Sequence, residues 1–303
     1  MKLTFLGTGG SMPTAERGLS AIALKRVGEL LLFDCGEGAQ RQMVRAGISP
    51  LKLDAIFITH FHGDHFLGLP GLVQTMSLMD RERKLEIYGP SGTETRVDAL
   101  LRIPLYTLKF EVELRDLKTG QELRRGDYTI HTCELDHNVP GIAYALIEDR
   151  RPGRFDPEKA QELGVKLGPD FSRLQSGEEV KVSGDKAVKP EQVMGPPRPG
   201  RKIAYAGDTR PSERVVELAR DADVLIHDCT LSDDLEERAL ESGHSTPRLA
   251  AEVAKKAGVR KLVLVHVSPR YPDTSELLEQ AKKVFPNSVV AHDLMELEVM
   301  LQE

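Results

Sequence analysis

Residues 59–68 read THFHGDHFLG and place His60, His62, Asp64 and His65 within six positions. Imidazoles this close repel one another when protonated, and each needs a hydrogen-bond partner when neutral. A shared cation satisfies several at once. The run before them, LDAIFITH (53–60), is apolar and ends in His60, as a buried strand does. Open α/β sheets collect ligands at the carboxyl ends of their strands. Three later runs end in the same way: DYTIHTCELDH (127–137) in His137, RKIAYAGD (201–208) in Asp208, and KLVLVH (261–266) in His266. The seven residues His60, His62, Asp64, His65, His137, Asp208 and His266 are therefore expected to converge at one sheet edge. Imidazole and carboxylate ligands favour zinc or another first-row metal, and the absence of cysteine among them points to catalysis rather than a structural clip. Seven ligands are too many for one ion and suit two, with one carboxylate bridging. Two ions about 3.5–4 Å apart can hold a hydroxide and neutralise an oxyanion.

Outward from this stretch the chain alternates strand and helix patterns. Further strands are expected at 2–7, 20–26, 29–36, 84–90, 223–229 and 288–294, with a short turn at Val27–Gly28. Helical patterns occupy 38–47, 69–79, 211–222, 246–258 and 275–285, and most end in Gly, Pro or an Asp/Asn turn. Strand followed by helix, with some hairpins, is an α/β layered design. Residues 148–200 break the rhythm. They are rich in Pro, Gly and charge, only DPEKAQEL looks helical, and Arg150, Arg151 and Arg154 form a basic knot at the base. So long a stretch without clear structure is unusual inside a compact domain. It reads either as a surface loop or as an arm that grips a partner.

Composition narrows the class. The chain has 303 residues, 40% hydrophobic and 29% charged, enough for a large core. A net charge of −6 excludes a protein that grips nucleic acid over its whole surface, so any such contact must be local. Three cysteines without CxxC spacing argue against a disulfide framework and for a reducing cytoplasm. The apolar run at the start is too short for a signal peptide, and no run suits a membrane span. Outside the ligand set, His131, His227 and His292 lie in strands and read as packing or surface residues. His244, in the loop ESGHSTPRLA before a helix, is free to swing into an active site.

THFHGDH, with Asp208 in AGDT and His266 in LVHVS, resembles the metallo-β-lactamase superfamily. Within it, FLGTGGSMPT (5–14), LLFDCGEGAQRQ (31–42), FITHFHGDHFLGLPGL (57–72), PGRFDPEKAQELGV (152–165), GRKIAYAGDTRP (200–211), SGHSTPRLAAEVAKKAGV (242–259) and LVLVHVSPRY (262–271) resemble the ribonuclease Z family, in order and over nearly the whole chain. The resemblance implies an αβ/βα sandwich of two packed mixed sheets with outer helices, as one domain over 1–303 carrying a flexible arm inserted at 148–200. It implies two zinc ions per subunit. His60, His62, His137 and Asp208 would hold one, and Asp64, His65, Asp208 and His266 the other. Asp64 would accept the proton of the attacking metal-bound hydroxide, and His244 would be the general acid. Asp34 would steady the ligand loop, although the residues alone read equally as a strand-end cap. Arg270 would contact the RNA 3′ end, and the arm, with Arg150, Arg151 and Arg154, would clasp the tRNA. The implied activity is cleavage of the 3′ trailer from tRNA precursors after the discriminator nucleotide, by a cytoplasmic homodimer.

Two positions depart from the family pattern. Ala39 stands where threonine is common after DCGEG. Asp228, in IHDC, stands where glutamate is common, and the shorter carboxylate is expected to loosen a contact behind the ligands. Two rival readings remain at this level. One is a hydrolase of small esters, thioesters or cyclic phosphodiesters, which would need neither the HST loop nor the arm. The other is an RNA-binding subunit without metals, against which all seven filled ligand positions argue.

Overall fold

The computed structural model describes residues 1–183 and 186–302, so Gly184 and Asp185 of the expected arm lie outside the described residues. The chain divides into two compact units: Met1–Ile147 with Lys202–Met300, and Glu148–Arg201 with the residues after Met300.

The first unit opens with strands β1 (Lys2–Gly7), β2 (Ala21–Arg26) and β3 (Glu29–Phe33), then helix α1 (Ala39–Arg45). Strand β4 (Leu53–Phe57) leads through the short helix α2 (Gly63–Phe66) into α3 (Leu69–Leu78). Strand β5 (Leu85–Gly89), helix α4 (Thr93–Leu101) and strand β6 (Val112–Asp116) follow, then β7 (Glu122–Arg125), β8 (Tyr128–Glu134) and β9 (Ile142–Glu148). Val27 and Gly28 both have positive φ, as the tight turn joining β2 to β3 requires.

The second unit contains helices α5 (Pro157–Glu162) and α6 (Pro169–Gln175), the antiparallel pair β10 (Val180–Ser183) and β11 (Lys186–Val188), and helix α7 (Pro190–Val193). All three helices begin with proline, where its missing N–H costs nothing. The prolines that read as loop punctuation are thus helix starts. Ala160, Val165, Leu174, Val180, Val188 and Val193 form this unit's own buried cluster. The expectation that only DPEKAQEL has regular structure is corrected accordingly. The ends of the segment pair, with Glu148 N–H donating to the Arg201 carbonyl at 3.0 Å.

The chain then returns to the first unit with β12 (Lys202–Tyr205), α8 (Glu213–Ala219), β13 (Val224–Asp228), α9 (Glu236–Glu241), α10 (Pro247–Ala257), β14 (Leu262–Val265), α11 (Ser275–Lys282), β15 (Ser288–Val290) and β16 (Glu296–Glu298). Two seven-stranded sheets result, ordered β16-β1-β2-β3-β4-β5-β6 and β15-β14-β13-β12-β9-β8-β7. Each mixes parallel and antiparallel pairs. Alternate residues of each strand face opposite ways. Leu3, Phe5, Phe33, Phe57, Tyr144 and Ile226 meet between the sheets, while Leu32 and Ile56 pack on α1 and α3, and Leu225 and Leu264 on α8 and α10. Sheets buried on both faces read as continuous apolar runs, which is why these strands were visible in the sequence. The expected αβ/βα sandwich is the fold observed.

The strands stop earlier than their sequence patterns. β4 ends at Phe57, and His60 instead forms a single bridge with Gly141. β8 ends at Glu134, leaving His137 in the following loop. The expected ligands therefore stand on loops just beyond the strand ends. β6, β7, β9, β16 and α4 were not expected from the sequence. β6 and β7 lie at or next to a sheet edge and carry many charges, whereas β9 is a plain apolar run of strand length.

Candidate metal centre

Loops at the carboxyl ends of β4, β8, β12 and β14 bring the seven expected ligands together. Donor atoms of His60, His62, His137 and Asp208 lie within 4.8 Å of one another, as do those of Asp64, His65 and His266. Asp208 joins the two sets. Its Oδ2 is 3.1 Å from His266 Nε2, 3.2 Å from His65 Nε2 and 3.8 Å from His60 Nε2.

Four of the imidazoles are held from behind. His60 Nδ1 lies 3.0 Å from Thr59 Oγ1, His65 Nδ1 2.8 Å from Asp34 Oδ2, His137 Nδ1 2.7 Å from the Gly243 carbonyl, and His266 Nδ1 2.8 Å from Thr230 Oγ1. A proton on each Nδ1 leaves Nε2 with its lone pair facing inward, the tautomer that a metal ligand needs. The inward nitrogens then face each other: His62 Nδ1 is 3.1 Å from His60 Nε2 and 3.2 Å from His137 Nε2. Lone pairs aimed at one another are unfavourable unless a cation lies between them. His65 Nε2 is fully buried and, despite its closeness to Asp208, makes no hydrogen bond.

The electrostatics agree. Burial drives His60 well below its usual range, with His65 adding to the effect, and burial also lowers His62 and His137. Burial opposes charge on His65 too, but Asp208 and Asp34 outweigh it and hold that imidazole well above the usual range. Burial would raise Asp208, yet the neighbouring His266 and His65 keep its carboxyl well below normal. Asp64 is likewise pushed up by burial and pulled down further by His266 and His65. Ionised Asp208 and Asp64 and the neutral imidazoles of His60, His62 and His137 are the charge states in which these groups bind a cation. The donor set fits one or more first-row metal ions.

The backbone is shaped to allow this. His266 and Asp34 have φ of 59° and 56°, left-handed values that cost ordinary residues of order 1–3 kcal/mol. His266 is kept there by Gly10 N–H donating to the Val267 carbonyl and Val267 N–H to the Thr8 carbonyl. A Cβ at Gly10 would stand 2.5 Å from the His266 ring, and one at Gly243 2.5 Å from His137 Nδ1. Ser11 N–H donates to Asp64 Oδ2 at 2.7 Å. Gly10, Ser11, Thr230 and Gly243 were missed in the sequence. GTGGS and SGH were the signals for Gly10, Ser11 and Gly243, and Thr230, in DCT, had none.

Asp34 is completely buried. It accepts from Thr59 N–H and Tyr205 O–H, both at 2.7 Å, besides its contact with His65. It is therefore more than a cap on β3. Asp34→Ala should lower metal affinity about 10–100-fold and leave buried donors orphaned at about 1–3 kcal/mol each. Metal titration and denaturant unfolding check both effects.

His244 Nδ1 lies 3.2 Å from Asp228 Oδ2 and 3.9 Å from Asp208 Oδ2. Burial disfavours its charge, but the bond to Asp228 and the charge of Asp208 raise its pKa overall. Asp228 Oδ2 also accepts from Ser245 N–H at 3.0 Å. The expected loosening at Asp228 is thus corrected: the aspartate reaches the His244 loop. His227 is buried in β13, with Nδ1 3.1 Å from the Asp228 carbonyl, His131 is half-buried, and His292 is exposed. Arg270 is exposed beyond β14. Arg150, Arg151 and Arg154 belong to the second unit, where Arg151 uses its guanidinium on the Pro199 and Gln302 carbonyls.

A two-sheet sandwich with His and Asp side chains converging on its strand-end loops defines a protein of the β-lactamase superfamily. The family model described as "Beta-lactamase superfamily domain" matches residues 193–267, and that described as "Anti-Pycsar protein Apyc1" matches residues 1–151. A ribonuclease Z from Methanosarcina acetivorans is 53% identical over 99% of this chain and 98% of its own, and one from Myxococcus xanthus is 46% identical over 100% and 99%. The crystal structure of human tRNase Z, short form, superimposes with a TM-score of 0.73 at 29% identity, covering 99% of this chain and all of that one. The chain belongs to the ribonuclease Z family.

Proposed function

We propose that this protein is a metal-dependent endoribonuclease that removes the 3′ trailer from tRNA precursors after the discriminator nucleotide, leaving a 3′-hydroxyl on the tRNA. The observation that carries the reading is the placement of His244, a polarised imidazole on Asp228, beside seven convergent ligands in a chain related over its full length to ribonucleases Z.

The chain's residues divide the work. His60, His62, His137 and Asp208 would hold one zinc ion, and Asp64, His65, Asp208 and His266 a second. Bound there, two ions would supply an activated water and neutralise charge on the phosphodiester. Asp64, which accepts a hydrogen bond from Ser11 N–H, would take a proton from the nucleophile. His244 gives a proton to the departing 3′-oxygen, a poor leaving group without it. Arg270 would pair with phosphate near the RNA 3′ end. Arg150, Arg151 and Arg154, with the rest of residues 148–200, would form a tRNA-gripping arm, so that an acidic chain concentrates its RNA contact locally. The arm is read as flexible and as part of one domain spanning 1–303. A cytoplasmic homodimer is part of the same proposal. The exposed apolar side chains of Leu78, Ile103 and Leu105 offer it surface, and light scattering would measure the oligomer.

The arm can be tested cleanly because Glu148 and Arg201 pair. A deletion of residues 152–182 would remove α5 and α6, cut β10 and leave β11 and α7 without their partners. Replacing 149–200 with a short Gly-containing turn avoids that. The shortened protein should process tRNA precursors at least about tenfold less efficiently, in line with lost phosphate contacts. It should still hydrolyse a small phosphodiester. Equal loss of both activities would contradict the role given to the arm.

A further inference from the structure

The ligand stretch contains two residues that no part of the site uses, Phe61 and Phe66. Their rings pack edge to face with centroids 5.3 Å apart, at the mouth of the loop that carries His60, His62 and His65. Both pack against the core on the helix side of the first sheet and are only partly buried. Arg96, one turn into α4, lays its guanidinium 5.5 Å from the centre of the Phe61 ring. Arg96 is exposed and, among the described residues, has no carboxylate partner. Its neighbours differ: Arg102 on the same helix pairs with Asp98, and Arg115 pairs with Glu113. An unpaired guanidinium on a half-open aromatic pair is the chemistry that holds an unpaired nucleobase and its phosphate.

Resting on the nuclease reading above, we infer that Phe61, Phe66 and Arg96 form a stacking platform for the first nucleotides of the trailer. Direction follows from the proton donor. His244 protonates the 3′-oxygen that stays on the tRNA, so the tRNA end lies on the His244 side. The His244 ring is 5.1 Å from those of His137 and His266, and all three stand on loops of the second sheet. Phe61 and Phe66 follow β4, and Arg96 follows β5, both strands of the first sheet. RNA crossing the ligands from the His244 side leaves over the first-sheet lip, and that portion is the trailer. A cation there favours phosphate locally on a chain whose net charge is −6.

The test couples protein and RNA changes. Metal-loaded wild type, Phe61→Leu and Arg96→Ala would each be assayed on a tRNA precursor with an intact trailer, and on one with an abasic first trailer nucleotide. Base stacking predicts that wild type loses about tenfold in kcat/KM when the base is removed. Each variant should lose a similar factor on the intact precursor, and less than about twofold more on the abasic one. Arg96→Ala removes an exposed guanidinium and its contact with the Phe61 ring but no buried side chain, and keeps the test valid should Phe61→Leu fold poorly. The same sensitivity to the abasic site in wild type and both variants would overturn the platform, as would no sensitivity in wild type. A wild type that cuts neither precursor would instead bring down the nuclease reading, and the trailer assignment with it.

Discussion

Replacing Asp208 with alanine is expected to empty the centre of metal and to lower kcat/KM on a tRNA precursor by about 10⁴-fold or more, the scale seen when residues act as one unit. Its Oδ2 faces His266, His65 and His60 at 3.1, 3.2 and 3.8 Å. It belongs to the His60 set and lies beside His65 and His266 of the other. Removing it leaves several imidazoles crowded together without the carboxylate that draws a cation among them. Asp208→Asn keeps the shape and removes the charge, so it should lose metal nearly as fully if charge is what matters. Metal analysis of the purified variants decides this independently of activity. Full metal content in Asp208→Ala would contradict the shared-ligand role.

Changing His244 to alanine should act differently. Its Nδ1 is committed to Asp228, and it stands 3.9 Å from Asp208, so metal should be retained. Turnover of the tRNA precursor should fall about 10²–10⁴-fold, the usual worth of a general acid. A p-nitrophenyl phosphodiester expels a stable phenolate that needs little protonation, so its hydrolysis should suffer far less. Similar losses on both substrates would mean that His244 positions the substrate or the metals rather than giving a proton. Asp228→Ala should reproduce the His244 effect in part, because it removes the bond that orients and polarises the imidazole.

These two residues show what a sequence can carry. His60, His62, Asp64 and His65 were legible because they are adjacent and follow an apolar strand pattern. Asp208 and His266 were legible because a buried parallel strand is a continuous apolar run, and the residue just beyond it is conspicuous. Gly10 and Gly243 were not legible as parts of the site, since what matters there is the space a Cβ would fill beside His266 and His137. Ser11 contributes a backbone N–H, which every residue type but proline possesses. The fold shows the same division. Most core strands were visible, although apolar β9 was missed, whereas the edge strands β6 and β7 carry charges in place of a continuous apolar run. In residues 148–200, proline marked helix starts that composition could not separate from loop.

The most direct test is to incubate metal-loaded protein with a tRNA precursor carrying a 3′ trailer, with and without chelator, and to map both new ends while counting bound metal. A single cut after the discriminator nucleotide, leaving a 3′-hydroxyl on the tRNA and abolished by the chelator, is the predicted result. A protein that holds its metal and hydrolyses a small diester or thioester, yet leaves the precursor intact, would contradict it.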